Sequence, residues 1–198
     1  MLSNIKNKKI LVIAAHPDDE ILGCGASLIK FVKKGYAVKC IFIADGESSR
    51  NLNKPAIIKK INLREKQALK ISKNLNFMKP EFFRQPDNKL DSIPILKIIQ
   101  FIEKQIKNFK PSVIFTHSQA DLNVDHVKVC KATLTATRPF SKTFVPMLLS
   151  FEIPSNSELS FSQTKKIFIP NFFVDISKQI NLKINALKIY KNEIRKPP

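Results

Sequence analysis

The chain holds only three histidines, His16, His117 and His126, and all three fall in two short acidic segments. The first is His16-Pro17-Asp18-Asp19-Glu20. The second is Thr116-His117-Ser118-Gln119-Ala120-Asp121-Leu122-Asn123-Val124-Asp125-His126. Histidines placed for packing have no reason to be confined in this way. Imidazole and carboxylate together suit zinc, with contacts of about 2.0–2.2 Å. His16 and Asp19 are three residues apart across a strand-to-helix corner, so their side chains can converge on one point. Asp18, between them, can point toward a bound water. His126 is the candidate third ligand, with Asp125 beside it. Two imidazoles and one carboxylate leave one position open, which is the pattern of a catalytic rather than a structural zinc (Zn2+) site. Iron(II) (Fe2+) fits the same donors. Each segment alone also has a bland reading, because Asp, Asn and Glu are favoured at helix starts and in loops. The specificity lies in the pair.

These residues need elements to bring them together. Ile10 to Ala15 is a continuous apolar run, read as a fully buried strand ending at His16. Pro17 suits the first turn of a helix reaching about Lys34, with Gly35 as its C-cap. Ala37 to Ala44 reads as a second strand and Asp45 to Pro55 as a loop. Ala56 to Leu75 has helical periodicity. Glu81 to Arg84 is a short strand, and Asp91 to Phe109 a helix capped by Asp91 or Ser92. Ser112 to Thr116 is another buried strand, followed by a loop and a helix from Asp125 to Thr137. Val145 to Phe151 and Lys165 to Ile169 are later candidate strands, and Ser177 to Lys191 a closing helix. The alternation predicts an α/β fold with a mainly parallel sheet. In such sheets ligands bind beyond the carboxyl ends of the strands, at a switch point.

At these residues the sequence resembles the LmbE-like, or PIG-L, deacetylases. Ala15-His16-Pro17-Asp18-Asp19-Glu20 looks like that family's signature, and the second segment is similar to its later motif ending in Asp-His. The resemblance also takes in Asp45-Gly46-Glu47, Arg64-Glu65 and Pro86-Asp87, and spans about residues 9 to 140. It implies a Rossmann-like three-layer fold. It implies a zinc held by His16, Asp19 and His126, with Asp18 as general base. It places Glu47, Arg64 and Asp87 in the substrate pocket, and it implies an N-acetylated amino sugar or conjugate as substrate. One position departs from the pattern. Many members carry a histidine two residues before the Asp-His pair, where this chain has Asn123. An asparagine can donate a hydrogen bond to an oxyanion but cannot supply a proton, so His117 is the alternative source. Asp125 is expected to orient a neighbouring histidine. Ala136-Thr137-Arg138-Pro139 and Phe151-Glu152-Ile153-Pro154-Ser155 are similar to a bacterial branch associated with surface-polysaccharide sugars.

Composition narrows the alternatives. At 198 residues, 43% hydrophobic and 25% charged, the chain suits one domain (1–198) with one sizeable core. Related chains run beyond Arg195-Lys196-Pro197-Pro198, so a truncated C-terminus is an expectation. No apolar run approaches the roughly 18 residues of a membrane span, and the cytoplasm is the expected compartment. Cys24, Cys40 and Cys130 are far apart and odd in number, so buried free thiols are expected. The net charge of +18 raises a rival: a basic binding protein with a degenerate site. Only five of the 34 basic residues are arginine, and phosphate and base readers lean on the guanidinium fork. Nucleic acid is therefore not the expected partner. A homo-oligomer is compatible with the sequence. Gly23-Cys24-Gly25 follows a strand, but it lacks the third glycine of a dinucleotide fingerprint.

Overall fold

The computed structural model describes residues 7–50, 53–154 and 167–191. Five parallel strands form the centre: β1 (Lys9–Ala14), β2 (Ala37–Ala44), β3 (Glu81–Gln85), β4 (Val113–His117) and β5 (Met147–Phe151). Their order is β3-β2-β1-β4-β5. Among the described residues five α-helices accompany them: α1 (Asp19–Lys33), α2 (Lys54–Asn74), α3 (Ile95–Phe109), α4 (Val124–Ala136) and α5 (Ile180–Leu187).

The continuous apolar run of β1 is explained by two cores. Ile10, Val12 and Ala14 enter one with α1, α2 and α5. Leu11, Ile13 and Ala15 enter the other with α3 and α4. Side chains alternate between faces along a strand, so a strand covered on both sides has no polar alternation to show. The result is the expected three-layer α/β arrangement. The three cysteines are buried free thiols, as expected. Among the described residues no helix is long and apolar enough to cross a membrane.

Several element boundaries differ from expectation, each for a local reason. Helix α1 starts at Asp19, with Asp18 as N-cap. Pro17 therefore precedes the helix rather than opening it. Helix α3 starts at Ile95 with Pro94 as N-cap, and Leu90–Ser92 is a separate 3-10 turn. Proline disfavours helical backbone in the residue before it, and Ile93 is extended at φ −89°, ψ 131°. Strand β5 begins after Pro146, which has no N–H to give the ladder. Strand β4 runs one residue further than expected because His117 pairs with Phe151 of β5. Residues 165–166 of the expected strand at 165–169 lie outside the described residues, and Ile167 to Ile169 are irregular. The closing helix is shorter than its pattern. Gly35 does take the left-handed conformation, φ 81°, just beyond the α1 C-cap.

Strand order reverses between β1 and β4, since the chain moves outward to β2 and β3 on one side and to β5 on the other. That is the switch point of an open α/β sheet. Residues His16 to Asp19 leave the end of β1, and Asp121 to His126 leave the end of β4.

Candidate active site

Asp18 occupies the N-cap position of α1, yet its side chain makes no cap hydrogen bond. Its backbone has φ 136° and ψ −30°, a conformation costly to any residue with a Cβ. The bland reading of Asp-Asp-Glu as a capping cluster therefore fails at Asp18. Asp19 also turns away from the helix, and its Oδ2 accepts the His16 N–H at 2.8 Å. Only Glu20 serves the helix start, reaching back to the Asp18 N–H at 2.9 Å.

Three donor atoms meet at this corner. His16 Nδ1 lies 3.4 Å from Asp19 Oδ2, His126 Nε2 lies 3.4 Å from the same oxygen, and His126 Nε2 is 3.4 Å from His16 Nδ1. The triangle is equilateral. A tetrahedral ion with bonds of about 2.1 Å has ligand-to-ligand edges of about 3.4 Å, so these residues fit a zinc-sized ion with its fourth position open. All three side chains are buried.

The remaining nitrogens are occupied in the way metal histidines require. His16 Nε2 lies 3.0 Å from Asp125 Oδ2 and 3.1 Å from Asp87 Oδ1. His126 Nδ1 lies 2.8 Å from Asp121 Oδ2. Each carboxylate fixes the tautomer by taking the outer N–H, leaving the lone pair of the inner nitrogen aimed at the triangle. Two other clusters of these residues could be drawn, His117-Asp121-His126 and His16-Asp87-Asp125. In them Asp121, Asp87 and Asp125 are the outer hydrogen-bonding partners of the first cluster, and His117 stacks on His126. Burial pulls both imidazoles down, but the surrounding carboxylates outweigh it. His126 is raised to about 9 by Asp19 and Asp121, and His16 well above its usual value by Asp125, Asp19 and Asp87. Burial likewise opposes ionisation of Asp19, yet the facing His126 imidazole holds its carboxyl well below the usual range.

Asp125 is fully buried, and its two oxygens also accept the Asn88 N–H at 2.8 Å and the Leu90 N–H at 3.0 Å. It thereby ties the loop after β3 to the start of α4 and to His16. Asp125→Asn presents an N–H where one of these donors now points. Metal affinity should fall about 10- to 100-fold, and chelator competition measures it. Unchanged affinity would remove Asp125 from the account.

Arg64 lies mid-way along α2 and is buried. Its Nη2 donates to Asp18 Oδ2 at 2.7 Å, its Nη1 to Gly46 O at 2.9 Å and Glu47 Oε1 at 3.1 Å, and its Nε to Pro17 O at 2.9 Å. The guanidinium thus clamps the Asp18 corner and the Asp45-Gly46-Glu47 loop together. Gly46 is required there, with φ 71° and an added Cβ only 3.0 Å from Arg64 Cζ. Asp87 accepts from Ser49 Oγ as well as facing His16. Glu47 and Asp87 therefore sit on the two loops flanking the triangle.

Asn123 is the N-cap of α4, with its Oδ1 accepting from the N–H of Asp125 at 2.8 Å. Its Nδ2 lies 3.4 Å from Asn88 Oδ1. His117 is fully buried, and its Nε2 accepts the Ala15 N–H at 2.9 Å. Burial and the neighbouring His126 push it down to about 4. Its ring stacks on His126, with centroids 4.0 Å apart and planes 18° apart. Sequence reasoning missed Asp121 as the partner of His126, although it stands in the same loop. It also missed Glu20 with Tyr190, which are 170 positions apart. Burial and the Asp18 charge push the Glu20 carboxyl up to about 8. A cavity of about 320 Å³ between α1, β5 and residues 167–174 includes none of the donors.

Fold and site together define an α/β protein with a buried two-histidine, one-carboxylate cluster at the sheet's switch point. The pattern of the PIG-L family, GlcNAc-PI de-N-acetylase, matches residues 11–137, and the chain belongs to that family of deacetylases. It is 31% identical to a protein of Escherichia coli K12 described as uncharacterized deacetylase YaiS, over 94% of this chain and 92% of that one. It shares its fold with the N,N'-diacetylchitobiose deacetylase of Pyrococcus horikoshii, with TM-score 0.75 and 18% identity over 96% of this chain and 72% of that one. It also shares it with GalB, the 4-carboxy-2-hydroxymuconate hydratase of Pseudomonas putida KT2440, with TM-score 0.73 and 20% identity over 94% and 80%.

Proposed function

We propose that the protein hydrolyses the N-acetyl group of an N-acetylglucosamine-type sugar or sugar conjugate, with His16, Asp19 and His126 holding a zinc ion and Asp18 as general base. The observation that carries this reading is the equilateral donor triangle of 3.4 Å edges beside the Arg64-clamped carboxylate of Asp18. When bound, zinc lowers the pKa of its water toward ~7 and polarises a carbonyl, and iron(II) suits the same donors.

The chain's own residues supply the proton handling. Asp18 takes the proton of the attacking water. The amine must leave protonated. Asn123 has no proton to give, and its Oδ1 is engaged in capping α4. His117 is neutral, buried and hydrogen-bonded to backbone through Nε2. Neither suits the acid role, and the proton carried by Asp18 is the one placed to pass to the leaving nitrogen. The Nδ2 of Asn123 remains the candidate donor to the developing oxyanion. Arg64 holds the general base in place, and on this reading it is a positioning residue rather than a direct sugar contact. Glu47 and Asp87, on the flanking loops, keep the substrate-pocket assignment. No covalent enzyme intermediate is required.

The sugar assignment draws on the relatives, since a diacetylchitobiose deacetylase shares the fold and the family is named for a GlcNAc-linked substrate. The intact cluster favours hydrolysis over a binding-only protein. The test is acetate release from a panel of N-acetylglucosamine derivatives with zinc-loaded protein. Release from one or more supports the reading. Zinc-loaded protein that releases acetate from none would refute the substrate class.

A further inference from the structure

We propose that Tyr190 and Glu20 are positioning residues for Asp18, so that the closing segment of the chain takes part in aligning the general base; this rests on the hydrolase reading above. Asp18 needs such support because its φ of 136° is one that a non-glycine residue keeps only when its surroundings hold it there. Its carbonyl accepts the N–H groups of Ile21 at 3.0 Å and Leu22 at 2.9 Å, which fixes one side of the residue. Its own N–H donates to Glu20 Oε2 at 2.9 Å, which fixes the other.

The Glu20 carboxyl group is therefore the counterpart of the Arg64 clamp. Arg64 holds the Asp18 side chain, and Glu20 holds its backbone. Glu20 is itself anchored at its second oxygen, where Oε1 accepts the Tyr190 hydroxyl at 2.9 Å. Both side chains are almost wholly buried, Glu20 at 2% and Tyr190 at 1% exposure. A buried carboxyl group and a buried phenol each need a partner, and each serves the other. Tyr190 follows α5, which is tied to α1 a second time by Lys183 Nζ donating to Leu22 O at 2.7 Å. The family pattern covers residues 11–137, so Glu20 lies within it and the Tyr190 end of the brace comes from a part of the chain that the pattern does not cover.

Removal of the phenol hydroxyl leaves Glu20 Oε1 without its donor. The carboxyl group can then rotate away from the Asp18 N–H, and the strained corner relaxes. Displacements of about 1 Å at a reacting group cost up to ~100-fold in rate.

The test uses Tyr190→Phe, which keeps the ring in the core, together with Glu20→Gln and the double variant. Amide hydrogen exchange at Asp18, read by NMR on the full chain, needs no catalysis. It should speed up about 10-fold or more in Tyr190→Phe while the β1 amides keep their protection. On the best substrate, kcat should fall about 10-fold with KM within about 2-fold and zinc content unchanged. The double variant should be no worse than Glu20→Gln alone, because both act through one brace. An unaltered Asp18 amide with unaltered kcat would overturn the proposal. So would additive losses in the double variant, or exchange speeding up equally across β1 and α1, which marks a purely structural role. A wild-type protein that releases no acetate would defeat the hydrolase reading instead, and the amide exchange still decides whether the brace exists.

Discussion

Asp18→Asn is expected to bind one metal ion as the native protein does and to lose about 1,000-fold in kcat. Asparagine keeps the shape of the side chain and an oxygen for Arg64 Nη2, now 2.7 Å from Asp18 Oδ2. The triangle of His16, Asp19 and His126 does not include this residue. What disappears is the ability to take a proton, and general base catalysis contributes about 10²- to 10⁴-fold. Because Asp18 is also proposed to return that proton to the leaving nitrogen, the loss should lie above the lower end of that range. Steady-state kinetics with elemental analysis of the same sample reads both quantities. A variant with native kcat would remove Asp18 from the mechanism. A variant that had lost its metal would show that Asp18 belongs to the ligand set.

The second large effect is at His126. His126→Ala removes one corner of the donor triangle, and two donors should not retain the ion against dialysis, so activity should be lost with it. The fold suffers as well. His126 lies between Asp121, 2.8 Å from its Nδ1, and Asp19, 3.4 Å from its Nε2. Its removal leaves two buried carboxylates without their shared partner, and breaking a buried pair costs about 3–5 kcal/mol. His126→Asn is the companion variant if the alanine form does not fold, since it restores one donor to Asp121 but cannot reach the triangle centre. Full zinc occupancy in a folded variant would contradict the ligand assignment.

The legible part of this protein was local. The apolar run of β1, and that of β2 interrupted only by Lys39, marked those strands to within a residue, since burial on both faces erases most polar alternation. His16, Asp19 and His126 could be singled out because histidines confined to two acidic strand ends have no packing explanation. The illegible part was set by distant contacts. Arg64 and Asp18 are 46 residues apart, and nothing in either segment says that a guanidinium on α2 holds the Asp18 side chain. His117 was expected in a loop, but pairing with Phe151 extends β4 to include it, and its Nε2 is committed to the β1 backbone. Asp121 and Asn123 both looked like capping residues. Asn123 is one, whereas Asp121 orients His126. Single-sequence periodicity cannot divide two such residues, because the division depends on where the ring of His126 stands.

The fold by itself does not choose the reaction. A hydratase and a deacetylase share it with this chain at similar TM-scores, and one scaffold commonly hosts several chemistries. The case for hydrolysis therefore stands on family membership and on the side chains at the switch point. The net charge of +18 is compatible with an anionic substrate, and net charge is an argument about association rather than chemistry.

The most direct test of the central claim is acetate release before and after the metal is removed. The protein is stripped with chelator, assayed on its best N-acetylglucosamine derivative, and assayed again as zinc is added back in steps. Release should vanish on stripping and return fully at one zinc per chain. Undiminished release by the stripped protein, or none after one zinc has bound to a protein that was active before stripping, would contradict the account.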